Sequence, residues 1–346
     1  MNTRTRYFIT AASVVMVAGL CTGLVAYYSG GLPLLASRAT ANEDLSYMPA
    51  DAPVVAYVNV RDIMSSDFRQ RLREVAPSLT GEGRNEFFDE TGIDLERDVT
   101  SVMLALGNVA DVKQGHPEKQ MIVLVRGVFN PPVIIASATQ RGATLTDYKG
   151  KQLLTKEDGG VAFIEPGLAI VGSVAGIQRA IDAHAGANLA AGGEMNRLVS
   201  AVDPSANAWA VGRLDGFQDM AGLPDQIKSQ MPAVQWFSLT GRVDSGISGA
   251  VRAEARDDQS AENLRAVVNG ALALARLNLG KDAKLDAIIN SLQLSGTGRQ
   301  VGLSFNLSSD VLTTLGAFAS EAGKQLHDGP TGESHDTHPA PKGRKL

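Results

Sequence analysis

The sequence predicts an α+β protein made of two similar lobes of antiparallel-rich sheet with helices on one side, preceded by one N-terminal transmembrane helix. Three observations lead to this prediction. A long uncharged run lies near the N-terminus. Short apolar runs with a two-residue period alternate with stretches of helical period downstream. The same order of elements then occurs twice between residue 53 and residue 326.

Composition indicates an ordinary folded chain. Of 346 residues, 44% are hydrophobic and 20% are charged, and the mean hydropathy is -0.02. This length allows one large or two medium domains. The net charge of -5 argues against a nucleic-acid-binding protein. A single cysteine excludes an internal disulfide and a zinc site built from several thiolates.

Residues 1–28 are predicted to be a cytoplasmic stub followed by a membrane anchor. Twenty-two uncharged residues run from Tyr7 to Tyr28, which as a helix would span roughly 33 Å, against about 30 Å of hydrocarbon. Arg4 and Arg6 precede the run, and positive charge favours the cytoplasmic side. We therefore expect a single-pass protein of the inner (cytoplasmic) membrane, with the bulk of the chain in the periplasm or outside.

A cleaved signal peptide is the alternative interpretation of this segment. Small residues at Ala39, Thr40 and Ala41 fit a cleavage site. The site lies 13 residues beyond Tyr28, however, and the apolar run is longer than a signal peptide needs. The length favours an anchor, while cleavage near Ala41 stays open.

Gly19 and Gly23 form a G-x-x-x-G motif inside the predicted anchor. Small residues at this spacing let two membrane helices approach closely, so a homodimer through this face is one open alternative. Glycine is also common in membrane helices that do not associate.

The first lobe is predicted over residues 53–186, after a linker over residues 29–52. Its apolar patterns predict strands at 53–60, 99–107, 120–128, 143–148 and 151–155, a hairpin over 160–172, and helices at 65–76, 132–141 and after Ser173. Pro166 and Gly167 suit the centre of a type II turn in that hairpin. Ser173 suits the N-cap of the helix that follows.

The second lobe is predicted over residues 207–326, after a connection over 187–206. Its strands are expected at 207–214, 234–243, 246–256, 292–298 and 300–307, and its helices at 215–229, from 259 to 279, at 282–290 and after Ser309. Residues 327–346, rich in Gly, Pro, His and mixed charge, are expected to form a disordered tail.

Three stretches resemble a broad group of uncharacterised bacterial exported or membrane-anchored proteins. They are the segment from Leu45 to Val60, the segment from Gly167 to Ser173 with its continuation from Ile177 to Asp182, and the late hairpin and helix. The resemblance implies a duplicated α+β domain. It implies no activity and no site residues.

Searches for catalytic and metal-binding motifs identify no strong site. The chain lacks H-E-x-x-H, G-x-S-x-G, S-x-x-K and the nucleotide-phosphate loop. The glycines from Gly296 to Gly302 are interpreted as a hairpin. Of the five histidines, His184 is interpreted as a helix-end residue and His116 as a solvated loop residue, while three lie in the tail at His327, His335 and His338. We therefore predict no cofactor and no metal site, and leave catalytic residues unknown.

The basic residues Arg69, Arg71, Arg73 and Arg84 are interpreted as a solvated helix face. A membrane-facing patch is the alternative for them.

The leading functional hypothesis is a non-catalytic binding or scaffold role at the cell envelope, with an envelope protein or an apolar ligand as partner and no role for nucleic acid. One alternative is a hydrolase-like envelope enzyme whose active-site residues are dispersed along the chain. Another is a structural subunit of a membrane assembly, which the G-x-x-x-G motif favours.

Overall fold

The computed structural model describes residues 43–75, 94–107, 121–157, 159–214, 234–279 and 288–308. They form one large antiparallel sheet with a few helices, so the predicted α+β class is confirmed. The strands are β1 (Val54–Val58), β2 (Val99–Ala105), β3 (Ile122–Gly127), β4 (Thr144–Tyr148), β5 (Lys151–Lys156), β6 (Gly159–Glu165), β7 (Leu168–Ser173), β8 (Ala208–Arg213), β9 (Val234–Val243), β10 (Gly246–Ala255), β11 (Gln293–Ser295) and β12 (Gln300–Ser308).

Seven α-helices have defined bounds among the described residues, and residues 43–44 and 288–291 are also helical. The seven helices are α1 (Val60–Met64), α2 (Asp67–Val75), α3 (Leu95–Asp98), α4 (Pro131–Gln140), α5 (Val174–His184), α6 (Glu194–Ser200) and α7 (Asp258–Leu279). Two short 3-10 helices occupy Leu45–Tyr47 and Leu189–Ala191. The Ser173 side chain caps α5 by accepting a hydrogen bond from the Gly176 N–H, as predicted.

The strands form a single sheet, where the sequence predicts a separate sheet in each lobe. Their order is β11-β12-β10-β9-β8-β1-β2-β3-β7-β6-β5-β4. The two parts of the chain meet where β1 pairs with β8, with Ala56 opposite Ala210 at the middle of the pair. Separate sheets would leave both strands as edges with unpaired backbone groups, and their pairing satisfies those groups.

Helices pack on both faces of the sheet, so the expectation of helices on one side is wrong. On the front face, α5 packs Ile177 and Ala180 into the same apolar cluster as Leu168 of β7. On the back face, α1 packs near Val58, and α7 packs near Val301. The physical reason is that central strands are apolar on both faces, as in β3, where buried Ile122 and Leu124 alternate with Val123 and Val125.

The segment from Glu43 to Pro53, predicted as part of a linker, crosses the front face and forms part of the core. We call it the strap. Leu45 and Met48 are 1% and 0% exposed. The Leu189 N–H donates to the Met48 carbonyl at 3.0 Å, which ties the strap to the predicted connection. The connection itself contributes buried Leu189 and Met195, so it packs against the sheet.

The predicted turns recur in the structure. The β6–β7 hairpin turns at Pro166 and Gly167, and Gly167 has a φ of 80° that suits the third residue of a type II turn. The β9–β10 hairpin turns across Asp244 and Ser245, as its pattern predicts.

Candidate functional site

Most of the residues considered as site candidates in the sequence lie outside the described part of the chain. This applies to Gly19 and Gly23 of the predicted anchor, to His116, to Arg84 and to the three tail histidines. The segment from Gly296 to Gly302 is a hairpin between β11 and β12, as predicted. His184 is the last residue of α5, also as predicted.

The interpretation of the arginine cluster as solvated is wrong at Arg69. This side chain lies in α2 and is only 3% exposed, whereas Arg71 is exposed. The α2 helix packs near β10, and the Phe68 N–H donates to the Asp244 carbonyl at 2.8 Å. Contact with the end of the sheet therefore buries one arginine that its helical pattern alone places among exposed ones.

A buried ion pair anchors the start of the strap to the front face. The Arg126 Nε donates to the Asp44 Oδ1 at 2.7 Å, and the Asp44 side chain is 2% exposed. Arg126 also reaches Glu165 at 3.3 Å. Burial raises the pKa of Asp44 above its ordinary value, although the bond to Arg126 acts in the opposite direction. The pair fixes the strap in one position but leaves no group free for chemistry.

Ser46 and His184 form a contact that the sequence does not predict. The Ser46 Oγ lies 2.8 Å from the His184 Nδ1, and the Tyr47 ring stacks on the imidazole at 4.1 Å between centroids. Ser46 also donates its single hydroxyl proton to the Glu43 carbonyl at 2.6 Å. A nucleophilic serine must give that proton to its base. The contact therefore fits a structural role, in which it holds the strap against the C-terminal end of α5.

The back face carries a row of aliphatic side chains, one from each strand. Directly paired residues of an antiparallel sheet project to the same face, so the strand register defines the row. We call this set the aliphatic row. In spatial order its members are Leu145, Leu154, Val161, Val171, Val123, Leu104, Ala56, Ala210, Leu239, Val251, Leu303 and Leu294.

Part of the aliphatic row is open to solvent. Leu145 is 42% exposed, and Val171 and Val251 are each 40% exposed. Eleven steps between strands at about 4.8 Å give the row a length of roughly 53 Å. On strands β6, β7, β3, β2, β1, β8, β9, β10 and β12, as far as they are described, the back face bears no charged side chain. The row is not open throughout, since Leu154 is only 4% exposed and Leu294 packs against the cluster that contains Ala261 of α7. Exposed aliphatic side chains within an uncharged face are typical of a binding site.

Two phenylalanines pack over glycines beside the row. A Cβ on Gly212 would lie 2.7 Å from the Phe237 ring, and a Cβ on Gly249 would lie 2.9 Å from the Phe305 ring. The rings thus rest directly on the backbone of the neighbouring strand. They extend the apolar surface on the β9 to β12 side and leave no polar group there.

The front face differs between the two parts of the sheet. Over β1 to β7 it is covered by the strap and α5, whereas over β9, β10 and β12 it is polar, with Ser238, Thr240, Ser248 and Asn306. A cavity of about 310 Å³ opens there beside Arg242 and Asp244. These two side chains pair with each other at 2.8 Å, so the cavity offers no uncompensated charge to a ligand.

Two further properties concern only the described ranges. No group of three or more His, Cys, Asp or Glu side chains within them is arranged to hold a metal ion. No helix within them is long and apolar enough to cross a membrane; the predicted anchor at residues 7–28 lies outside these ranges.

Sequence patterns identify parts of the aliphatic row without revealing it as a row. The alternation in β10 and β12 predicts that Val251 and Leu303 each lie on the apolar face of their own strand. The continuity across twelve strands depends on the β1–β8 pairing. No local pattern in the sequence specifies that pairing.

Comparisons with known proteins assign no family to this chain. No protein-family model matches the chain, and no curated protein matches it. Among solved structures, three crystal forms of a protein named TP0453 are similar. Form I has a TM-score of 0.44 at 11% identity, covering 79% of this chain and 96% of that one; form III has 0.44 at 11%, covering 79% and 97%. Form IV has 0.45 at 10%, covering 78% and 95%.

Proposed function

We propose that the protein is a membrane-anchored, extracytoplasmic, non-catalytic binding or scaffold protein whose partner occupies the back face along the aliphatic row. The observation that carries this proposal is the exposure of Val171 and Val251 within an uncharged apolar face. Exposed apolar area of this extent costs free energy in water, and a bound apolar partner recovers it.

The membrane location rests on the uncharged run from Tyr7 to Tyr28 and on Arg4 and Arg6 before it. We expect the full chain to stay with membranes through washing with high salt or alkali. We also expect a tag at Leu346 to be cleaved by protease added outside the inner membrane. A mature N-terminus at Asn42 would contradict the anchor.

We also infer that the two parts of the chain arose by duplication. Outward from the β1–β8 pair, the first part has the order β1, β2, β3, β7, β6, β5, β4 and the second has β8, β9, β10, β12, β11, so five strands correspond and β5 and β4 are additions to the first part. In both, the third strand is followed along the chain by a helix, and the last strand then returns beside the third. The shared order supports two similar halves that meet within one sheet.

The binding role is tested on the full chain held in lipid nanodiscs. Native mass spectrometry measures mass that stays bound after release. We expect bound mass on the wild-type chain, and its loss when Val171→Lys and Val251→Lys are combined, because an ammonium group cannot be buried without cost. Asn306→Lys is the matched control, since it places lysine at an exposed position on the front face. Equal bound mass in both variants would contradict the proposal.

A further inference from the structure

We propose that the occupant of the aliphatic row is the hydrocarbon chain of an uncharged or zwitterionic membrane lipid. The inference rests on the proposed binding function and adds the chemical class of the ligand. The row consists of Leu, Val and Ala side chains alone, and all of its strands except the edge strands β4 and β11 pair with a neighbour on both sides. The surface therefore offers contact with methyl and methylene groups and no hydrogen bond.

This chemistry distinguishes a hydrocarbon chain from a protein partner. Protein interfaces carry about one hydrogen bond per 100–200 Å² and are enriched in Tyr, Trp and Arg. A protein partner would contact the row through apolar side chains alone, as α7 does at Leu294, without the hydrogen bonds that are usual in an interface. A hydrocarbon chain has no hydrogen-bonding groups, so it can be buried against the row without leaving any polar group unpaired.

The net charge of the body favours an uncharged or zwitterionic lipid over an anionic one. The segment between the predicted anchor and the strap is short enough to keep the body near the bilayer. Residues 1–41 carry three arginines and no acid, and the charges of residues 327–346 balance, which leaves a net charge of -8 on residues 42–326. Such a body is repelled by anionic headgroups.

Fourteen residues separate Tyr28 from Glu43, and they span at most about 50 Å. The body thus remains within reach of the bilayer that supplies the lipid.

The test uses the full chain in phosphatidylcholine vesicles that contain a phosphatidylcholine with a diazirine in its acyl chain. After irradiation, mass spectrometry maps the labelled peptides. We expect label on peptides containing Val171 and Val251 as well as on residues 7–28. The combined Val171→Lys and Val251→Lys chain should lose about tenfold of the body label or more, while the label on residues 7–28 stays constant as an internal standard. Asn306→Lys should keep both labels.

A milder pair, Val171→Thr with Val251→Thr, guards against misfolding of the lysine variant, because threonine keeps the branched shape and the strand preference. It should lower the body label by a smaller factor in the same direction. Label confined to residues 7–28 in the wild type would overturn the inference. If the nanodisc experiment then still shows bound mass that the lysine pair removes, the binding function stands with a different ligand; if it shows none, both fail.

Discussion

Ala56 lies directly opposite Ala210 where β1 pairs antiparallel with β8, and five residue pairs are centred on this contact. The pair joins strands from the beginning and the middle of the chain. It makes one sheet out of two sequence blocks, and it completes the aliphatic row across the join.

Because the blocks share one sheet and a common core, the body should unfold in a single transition. Ile170→Ala in the first block and Val301→Ala in the second remove side chains that are 0% and 5% exposed. Both should lower the same denaturation midpoint, with the isoleucine change costing about 2–5 kcal/mol. Chemical denaturation followed by circular dichroism and by tryptophan fluorescence tests this. Two transitions, each sensitive to one variant, would show independent blocks.

Removing Arg126 should destabilise the body strongly. Arg126→Ala leaves Asp44 buried without its cation, and breaking such a pair costs about 3–5 kcal/mol. The control is Arg242→Ala, whose ion pair with Asp244 is exposed and is worth less than about 1 kcal/mol. Denaturant titration of both variants measures the two costs. Similar small losses would mean that the strap does not depend on the pair.

Asp44 should also make stability depend on pH in a defined direction. Its pKa is raised by burial in the folded protein, so the folded state takes up a proton more readily than the unfolded state. The resulting stabilisation is fully present below the unfolded pKa of about 3.9 and is lost as the pH rises through the folded pKa. The free energy of unfolding of the wild type, relative to Asp44→Asn, should therefore increase as the pH falls from 7 toward 4. A relative decrease would contradict this direction.

Two glycine substitutions should change stability in opposite directions. Gly249→Ala brings a Cβ within 2.8 Å of the Thr240 carbonyl and 2.9 Å of the Phe305 ring, and overpacking of this kind costs about 1–3 kcal/mol. Gly270 lies within α7, and a Cβ added there would meet no other atom within 4 Å. Gly270→Ala should stabilise the protein by about 0.5–1 kcal/mol through helix propensity. Thermal melting of both variants provides the comparison, and a loss of stability in Gly270→Ala would contradict the expected direction.

Local patterns predicted much of the fold. The two-residue alternation in β10 and β12 identified strands with one apolar face, and Ser173 identified the start of α5. These features depend on neighbours along the chain, which the sequence displays directly.

Contacts between residues far apart in the sequence could not be predicted, because local patterns report only on neighbours along the chain. The sequence of the strap looks like that of a linker because it has few apolar residues and no periodic pattern. Two of these residues, Leu45 and Met48, are buried only through contacts with distant parts of the chain. The Ser46–His184 contact joins residues 138 positions apart. The aliphatic row likewise depends on strand register, and register follows from pairing partners that no local period specifies.

The most direct test of the central claim compares cysteine reactivity on the two faces of the sheet. In a chain carrying Cys21→Ser, which removes the single native cysteine, Val251→Cys reports on the back face and Asn306→Cys on the front face. If a partner occupies the aliphatic row, Val251→Cys should react with a polar maleimide at least about tenfold more slowly in membranes than in purified, delipidated protein, while Asn306→Cys reacts equally in both. Equal rates for Val251→Cys in the two states would contradict occupation of the row.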